Sequence, residues 1–298
     1  MEYTVKPEEN GKRVRDILRG SMGVSYSAMK SAKWNGRLQL NGEPVFTDAR
    51  VAAGDRVRID WAEETPAYRP RRFDLPLEVA WEDADLMAVV KPAPLASQSS
   101  RNHPDDSLEN AVFTYFGCPE GFVYRPVNRL DKGTSGLMMI AKTPHAQYRM
   151  QRMLHTPEFR RRYLALTEGV PEAREGVVDL PIAKAPGATV KRMVSPEGRP
   201  SRTKYRVLEE RGERALLLLE LETGRTHQIR VHMSAIGCPV AGDFLYGREL
   251  PEEFPGRFAL HSAVVDTVHP LTGERILLTS LPEWAEGIPD SALLMDFD

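Results

Sequence analysis

The sequence predicts an α+β protein in two parts, and three observations predict it. Within residues 1–62, two short stretches at helical spacing are followed by strand-like runs. Residues 63–76 carry three prolines and little apolar periodicity, and read as a linker. Residues 77–298 then mix short apolar strands, bounded by turns, with capped helical segments.

Each element has a local reason. In the small part, Val14, Ile17 and Leu18 share one helical face, and Ser25 is a cap-type residue opening a second basic helix through Met29 and Lys30. Leu38-Gln39-Leu40, the pair Asn41-Gly42 and a run from Val51 to Trp61 read as strands joined by a hairpin turn, since Asn-Gly adopts the backbone twist that a tight hairpin needs. In the large part, Leu77 to Trp81 and Leu86 to Val90 read as strand–turn–strand ended by Lys91-Pro92. Leu137 to Ala141 is a short apolar strand. Thr143-Pro144 opens a helix with a cap residue and a proline at the first helical position, and that helix carries Arg149 and Arg152 on one face. Tyr163 to Leu166 and Ala215 to Leu221 read as buried strands.

Composition narrows the class. The chain of 298 residues is 41% hydrophobic and 28% charged, ordinary for a soluble globular protein. It has no apolar run long enough for a membrane span, and residues 1–6, without an apolar core, are not expected to act as a secretory signal. Two cysteines, Cys118 and Cys238, are too few for a disulfide framework, so a reducing cytoplasm is expected. A net charge of −2 argues against a polyanion partner, but the charge is segregated. Residues 11–40, 125–162 and 184–206 hold seven, nine and seven Lys/Arg against one, two and one acids, while 281–298 holds five acids and no base. Such segregation suits a polyanion-binding face.

One acid stands inside a basic stretch. Asp131 lies in Arg129-Leu130-Asp131-Lys132-Gly133-Thr134-Ser135-Gly136-Leu137. Two glycines, a threonine and a serine make this a poor helix or central strand, so it reads as a tight loop presenting one carboxylate. Cationic neighbours would hold that carboxylate ionised, as a nucleophile or base requires. A second chemical segment is Thr223-Gly224-Arg225-Thr226-His227-Gln228-Ile229-Arg230-Val231-His232. Gly224 supports a turn, Thr226 can cap a helix whose core face is Ile229, Met233 and Ile236, and Gly237 suits its end. Arg225 then stands beside a helix start, where an anion, a phosphate or the Asp131 carboxylate, is at home.

Other chemistries fit less well. His227 and His232 are five apart, not the helical i, i+4 of a zinc pair, and no metal is expected. Ser135 lacks the glycine two residues earlier that a nucleophile elbow requires. No Walker-type loop and no Gly-x-Gly-x-x-Gly occur, so no cofactor is expected. Taken singly, Asp131 could cap a loop, Tyr163 could be core, and Arg225 could form a surface ion pair.

Three segments now stand in order: Val89-Val90-Lys91-Pro92, the run from Asn128 to Leu137, and the run from Thr223 to His232, followed by Gly242-Asp243-x-x-Tyr246-Gly247. Together they resemble the RluA-type pseudouridine synthases, which isomerise uridine in ribosomal or transfer RNA. The resemblance covers about residues 77–280. It implies a pseudouridine synthase fold with a long mixed, mostly antiparallel sheet and flanking helices. It implies that Asp131 is the catalytic aspartate, that Tyr163 is the active-site tyrosine and that Arg225 pairs with the aspartate. It also implies that Arg129 helps extrude the target base and that Leu260 packs near it. Asn128, Lys91, Arg149, Arg152 and Arg230 are further candidate RNA contacts. The small module resembles the RNA-binding module first described in ribosomal protein S-four, through Leu38 to Gly42 and Ala53-Gly54-Asp55-Arg56-Val57, with Arg13, Arg15, Lys30 and Lys33 as its RNA contacts. Two departures stand out: Asn128 where the family has histidine, and Ala93-Pro94-Leu95 with Gln98 where it has Ala-Gly-Leu and a later histidine.

The implied partner is RNA, ribosomal RNA first and transfer RNA second, with no membrane and the chain acting as a monomer. A base must be unstacked and flipped, its bond to the sugar broken and remade through carbon. Asp131 would act on the sugar as a nucleophile or as a base. The rival reading is a non-catalytic RNA-binding or ribosome-assembly factor on the same fold.

Overall fold

The computed structural model describes residues 1–34, 37–60, 66, 68–154 and 156–297, without the side chains of Ser27, Ser31, Lys33 and Trp34. The Lys33 contact and part of the expected linker, residues 63–65 and 67, therefore lie outside the described residues. The chain divides into two compact units. One is Met1–Arg69 with Glu120–Val123, the other Pro70–Pro119 with Tyr124–Asp298.

The first unit folds around helices α1 (Val14–Arg19) and α2 (Tyr26–Trp34) and a four-stranded sheet. Its strands are β1 (Glu2–Thr4), β2 (Leu38–Leu40), β3 (Glu43–Pro44) and β4 (Arg56–Ile59), in the order β1-β4-β2-β3. Strand β1 was not legible in the sequence; it pairs with β4, Tyr3 against Val57. The β2–β3 turn is made by Asn41 and Gly42, both at positive φ (55° and 91°), as a tight hairpin requires. In β4 the arginines are exposed and Val57 and Ile59 are buried, so one face meets Val14, Ile17 and Leu18 in the core.

The second unit is a nine-stranded sheet with flanking helices. Its strands are β5 (Glu78–Glu82), β6 (Leu86–Lys91), β7 (Ser135–Ala141), β8 (Phe159–Glu168), β9 (Glu175–Asp179), β12 (Arg202–Arg211), β13 (Arg214–Leu221), β14 (Leu260–Val268) and β15 (Arg275–Thr279). A separate hairpin pairs β10 (Ile182–Lys184) with β11 (Arg192–Val194). The helices are α3 (Leu108–Tyr115), α4 (Pro144–Met153), α5 (Gln228–Ala235) and α6 (Asp290–Leu294). Sheet order is β5-β6-β7-β14-β8-β13-β12-β9, with β15 on β14. Strands β6, β7 and β13 are buried almost throughout, because helices or neighbouring segments cover both faces of the middle of the sheet. Thr143 caps α4 as its position suggested, its side chain accepting from the Ala146 N–H at 3.1 Å.

One pairing positions the site. Strands β7 and β14 run parallel, His261 opposite Ser135 and Ser262 opposite Gly136. Their N-terminal ends therefore lie side by side, which brings the loop before β7 next to the segment before β14. Gly136 is at φ 104°, and a Cβ there would sit 2.4 Å from the Ser262 carbonyl oxygen. Only glycine fits that crossing.

Candidate active site

The loop from Leu130 to Thr134 is a turn, closed by the Thr134 N–H on the Asp131 carbonyl at 3.1 Å. It is held from both sides by the segment after β6. Ser97 Oγ donates to the Leu130 carbonyl at 2.6 Å and accepts from the Leu130 N–H at 3.1 Å. Lys91, wholly buried, points its Nζ at the carbonyls of Leu95 (2.8 Å), Pro92 (3.0 Å) and Lys132 (3.4 Å). Burial pushes the Lys91 amine down to about 7, against the opposing pull of Asp131. Lys91 was expected to touch RNA; its burial makes it a strut of the loop instead. Gly133 lets the Phe258 ring approach, since a Cβ there would meet the ring at 2.6 Å.

Asp131 is 27% exposed at its side chain, and its Oδ2 accepts from Arg230 Nη1 at 3.1 Å. Arg230, not Arg225, is thus the partner of the aspartate. Arg225 lies in the turn before α5, and its Nε donates to the Pro200 carbonyl at 3.2 Å. Arg230 is the third residue of α5, and side chains on a helix lean toward its N-terminus, which carries the guanidinium back to the loop. The expected RNA contact at Arg230 is corrected by the same observation, because this side chain is buried and engaged.

Arg230 also binds Asp243 through both fork positions, Nε to Oδ2 at 2.6 Å and Nη2 to Oδ1 at 2.8 Å. Its guanidinium carbon lies 4.1 Å from the centre of the Phe258 ring and 5.0 Å from that of Tyr246. Burial works to lower the Arg230 pKa, but Asp243 and then Asp131 outweigh it and the group is held charged. Asp243 is fully buried, so of the two carboxylates on this arginine only Asp131 reaches solvent.

The turn entering α5 is also built differently from expectation. Thr226 does not cap the helix. Gln228 organises the turn, its side-chain oxygen accepting from the Arg225 N–H at 3.0 Å and from Thr223 Oγ1 at 2.9 Å. His227 takes the N-cap position in the left-handed region, φ 60° and ψ 19°. Its Nε2 lies 3.8 Å from Asp131 Oδ2, and its Nδ1 lies 2.8 Å from the Tyr246 hydroxyl. His232 is used elsewhere, its ring nitrogens 2.9 Å from Thr203 Oγ1 and 2.9 Å from the Leu180 carbonyl.

The remaining candidates are spread. Tyr163 is buried in β8 opposite Ser262 of β14, and Leu260 is buried at the start of β14 opposite Ala165. Both stand in strands next to or near the Asp131 end of β7. Asn128 is buried and accepts from the Met139 N–H at 2.9 Å through Oδ1, so it joins the sheet and does not face RNA. Arg129, Arg152, Arg15 and Lys30 are exposed; Arg149 and Arg13 are half-buried. Lys184, Arg192, Arg199 and Arg225 line a cleft of about 440 Å³ that also includes Glu197. The sequence reading left Asp243, Tyr246 and Gln228 without roles, although Gly242-Asp243-x-x-Tyr246-Gly247 was visible as a pattern. The signal was present, but nothing local says that a fully buried aspartate needs a buried cation.

The basic stretches are partly consumed within the fold. Arg162 pairs with Glu220 at 2.9 Å and with Asp296 at 3.1 Å, and Arg160 pairs with the same two acids. Asp296 belongs to the acidic C-terminal stretch, which therefore neutralises basic residues that the charge pattern had offered to a polyanion.

Comparison with known proteins bears on this geometry. A family description of RNA pseudouridylate synthases matches residues 85–235, which span the Asp131 loop and α5. Ribosomal large subunit pseudouridine synthase D of Salmonella typhimurium is 37% identical, over 96% of this chain and 90% of that protein. The uncharacterized RNA pseudouridine synthase YjbO of Bacillus subtilis is 35% identical, over 86% and 91%. The solved structure of human RNA pseudouridylate synthase domain containing 1 superposes with a TM-score of 0.58 at 25% identity, covering 70% of this chain and 84% of that one. The chain belongs to the RNA pseudouridylate synthase family, of the RluA type, and is an isomerase that converts uridine in RNA to pseudouridine.

Proposed function

We propose that this protein modifies uridine in ribosomal RNA and that Asp131 is the carboxylate that acts on the ribose. The observation that carries the reading is the charge arrangement at Arg230. One buried guanidinium holds two carboxylates; Asp243 is sealed in, and Asp131 stands at the surface with Oδ2 held. That leaves Oδ1 of Asp131 to meet a substrate. The flipped uridine costs a few kcal/mol of stacking, repaid by contacts to phosphate and pocket. Oδ1 then attacks the anomeric carbon as its bond to uracil N1 breaks, or takes the proton from the neighbouring carbon as that same bond breaks. The turned uracil rejoins through C5, the carboxylate leaves or returns its proton, and C5 gives up its hydrogen. Deuterium at the neighbouring carbon therefore slows the reaction strongly only in the second case. Tyr163 and Leu260 form the floor under the base, and Arg129 occupies the space the base leaves.

Ribosomal RNA is favoured because several relatives covering most of the chain are named as ribosomal large subunit pseudouridine synthases. The N-terminal unit supplies a second RNA contact through Arg13, Arg15 and Lys30, in the manner of the S-four module it resembles. The setting is the cytoplasm, with the chain as a monomer. Pseudouridine mapping in cells lacking the protein tests the substrate. At least one pseudouridine in large-subunit RNA disappears and returns with the wild-type gene but not with Asp131→Asn. Loss confined to transfer RNA overturns the substrate, and no loss in any RNA overturns the reading.

A further inference from the structure

His227 has no part in the chemistry assigned so far, yet it is the non-glycine residue held in the left-handed region beside Asp131. That conformation costs an ordinary side chain on the order of 1 kcal/mol, so surrounding contacts must hold it. The contacts form a chain. The Arg192 backbone N–H donates to the Tyr246 hydroxyl oxygen at 2.8 Å. Tyr246 is fixed further by its own carbonyl, which accepts from Ser234 Oγ at 2.8 Å. Burial raises the Tyr246 pKa, so the hydroxyl keeps its proton, and the nitrogen 2.8 Å away, His227 Nδ1, is the acceptor for it. An imidazole that accepts at Nδ1 carries its own proton at Nε2. Nε2 is the nitrogen that faces Asp131 Oδ2 at 3.8 Å. Burial lowers the His227 pKa, Asp131 opposes and Arg230 reinforces that shift, and the ring is neutral in neutral solution. The charged and titratable groups around the ring are Asp131, Arg230, Asp243, Arg192 and Tyr246.

We propose that His227 is a positioning residue for Asp131: Tyr246 fixes its tautomer, and its Nε2–H faces Oδ2 from 3.8 Å, a second dipole beside the Arg230 hydrogen bond. With Oδ2 hydrogen-bonded by Arg230 and faced by the His227 N–H, rotation of the carboxylate is disfavoured, and Oδ1 stays aimed at the ribose. This rests on the reading of Asp131 as the catalytic carboxylate.

The test uses the full-length protein and ribosomal RNA labelled with tritium at uridine C5, taken from cells lacking the protein. His227→Asn tolerates the left-handed backbone and its short amide reaches Tyr246 but not Asp131. Its kcat falls about tenfold to a hundredfold, as expected for a misplaced reacting group, with KM and melting temperature unchanged. His227→Gln, whose amide reaches the position of Nε2, recovers most of that loss. Tyr246→Phe removes the donor to Nδ1, so the ring is free to carry its proton there and leave Nε2 bare towards Asp131, and kcat falls several-fold with KM unchanged. That fall is absent when Tyr246→Phe is added to His227→Gln, which has no tautomer to fix. Wild-type kcat in His227→Asn, or no recovery in His227→Gln together with wild-type kcat in Tyr246→Phe, overturns the proposal. Asp131→Asn is run alongside. If it is inactive while His227→Asn is wild type, only the positioning role fails; if it is active, the reading of Asp131 fails and the positioning role with it.

Discussion

Arg230 concentrates the electrostatics of the site in one side chain. It neutralises a sealed carboxylate, orients an exposed one and lies on the face of Phe258. A lysine cannot reproduce this, because a point charge lacks the planar fork that engages Asp243 with two bonds. Arg230→Lys is therefore expected to lose at least about a hundredfold in kcat, whereas Arg225→Met loses less than about tenfold, mostly in KM. Single-turnover rates for the two variants decide it, and an equal loss in both would contradict the assignment. The family resemblance implied Arg225 as the partner; its place at the strand–helix junction suited an anion, phosphate or Asp131 alike. Two arginines five residues apart flank that junction, and the direction of each depends on the left-handed turn at His227. Nothing in spacing predicts a left-handed histidine. Asp131 was legible because its loop is so poor in helix and strand formers, a purely local property.

At the scale of elements, the Asp131 loop is held by the segment from Lys91 to Ser97 and by the parallel pair β7–β14. Lys91 has a pH signature. Its folded value is about 7 and its ordinary value 10.5. Between those values the unfolded chain holds a proton that the folded one has released, so this residue makes stability rise with pH over that window, by at most about 1.4 kcal/mol per unit. Urea unfolding from pH 7 to 10 is expected to show that slope in the wild type, and less of it in Lys91→Met, which also takes the Nζ donor from the Leu95 and Pro92 carbonyls while the Lys132 carbonyl keeps the Leu95 N–H at 3.0 Å. His261 works in the other window. It lies between Ser135 Oγ (2.8 Å) and Ser280 Oγ (3.1 Å), and burial pushes it down to about 4. As pH falls from 6.5 to 4 the unfolded chain takes a proton that the folded one refuses, so up to about 3 kcal/mol is lost there. His261→Gln flattens that part of the pH–stability curve; an unaltered curve counts against the assignment. Strands β5, β6, β7, β8 and β13 were legible as apolar runs; β9, β12, β14 and β15 were not. The parallel neighbour of β7 was not, since β14 lies more than a hundred residues along the chain, and periodicity carries no information about which strands pair.

Across the whole molecule, charge explains how a chain of net charge −2 meets RNA, though less simply than the basic stretches suggested. Arg160 and Arg162 are spent on Glu220 and Asp296, and Arg202 and Lys204 approach Glu222. Lys184, Arg192, Arg199 and Arg225 instead line the cleft that reaches His227 through Arg192 and Tyr246. Charge reversal of Lys184 and Arg199 is expected to raise KM several-fold, leave saturating kcat near wild type and reduce the salt dependence of binding by about one counterion per lost phosphate contact. A fall in kcat with unchanged KM would contradict it. Composition alone cannot separate bases that face a ligand from bases that face an acid, because both look the same in a charge count. The most direct test of the account is tritium release from C5-labelled ribosomal RNA by Asp131→Asn, with RNA binding measured on the same preparation. The account predicts no release above background with RNA affinity within about threefold of wild type, since a single carboxylate is changed and no phosphate contact is lost. Release at a rate near wild type would contradict it.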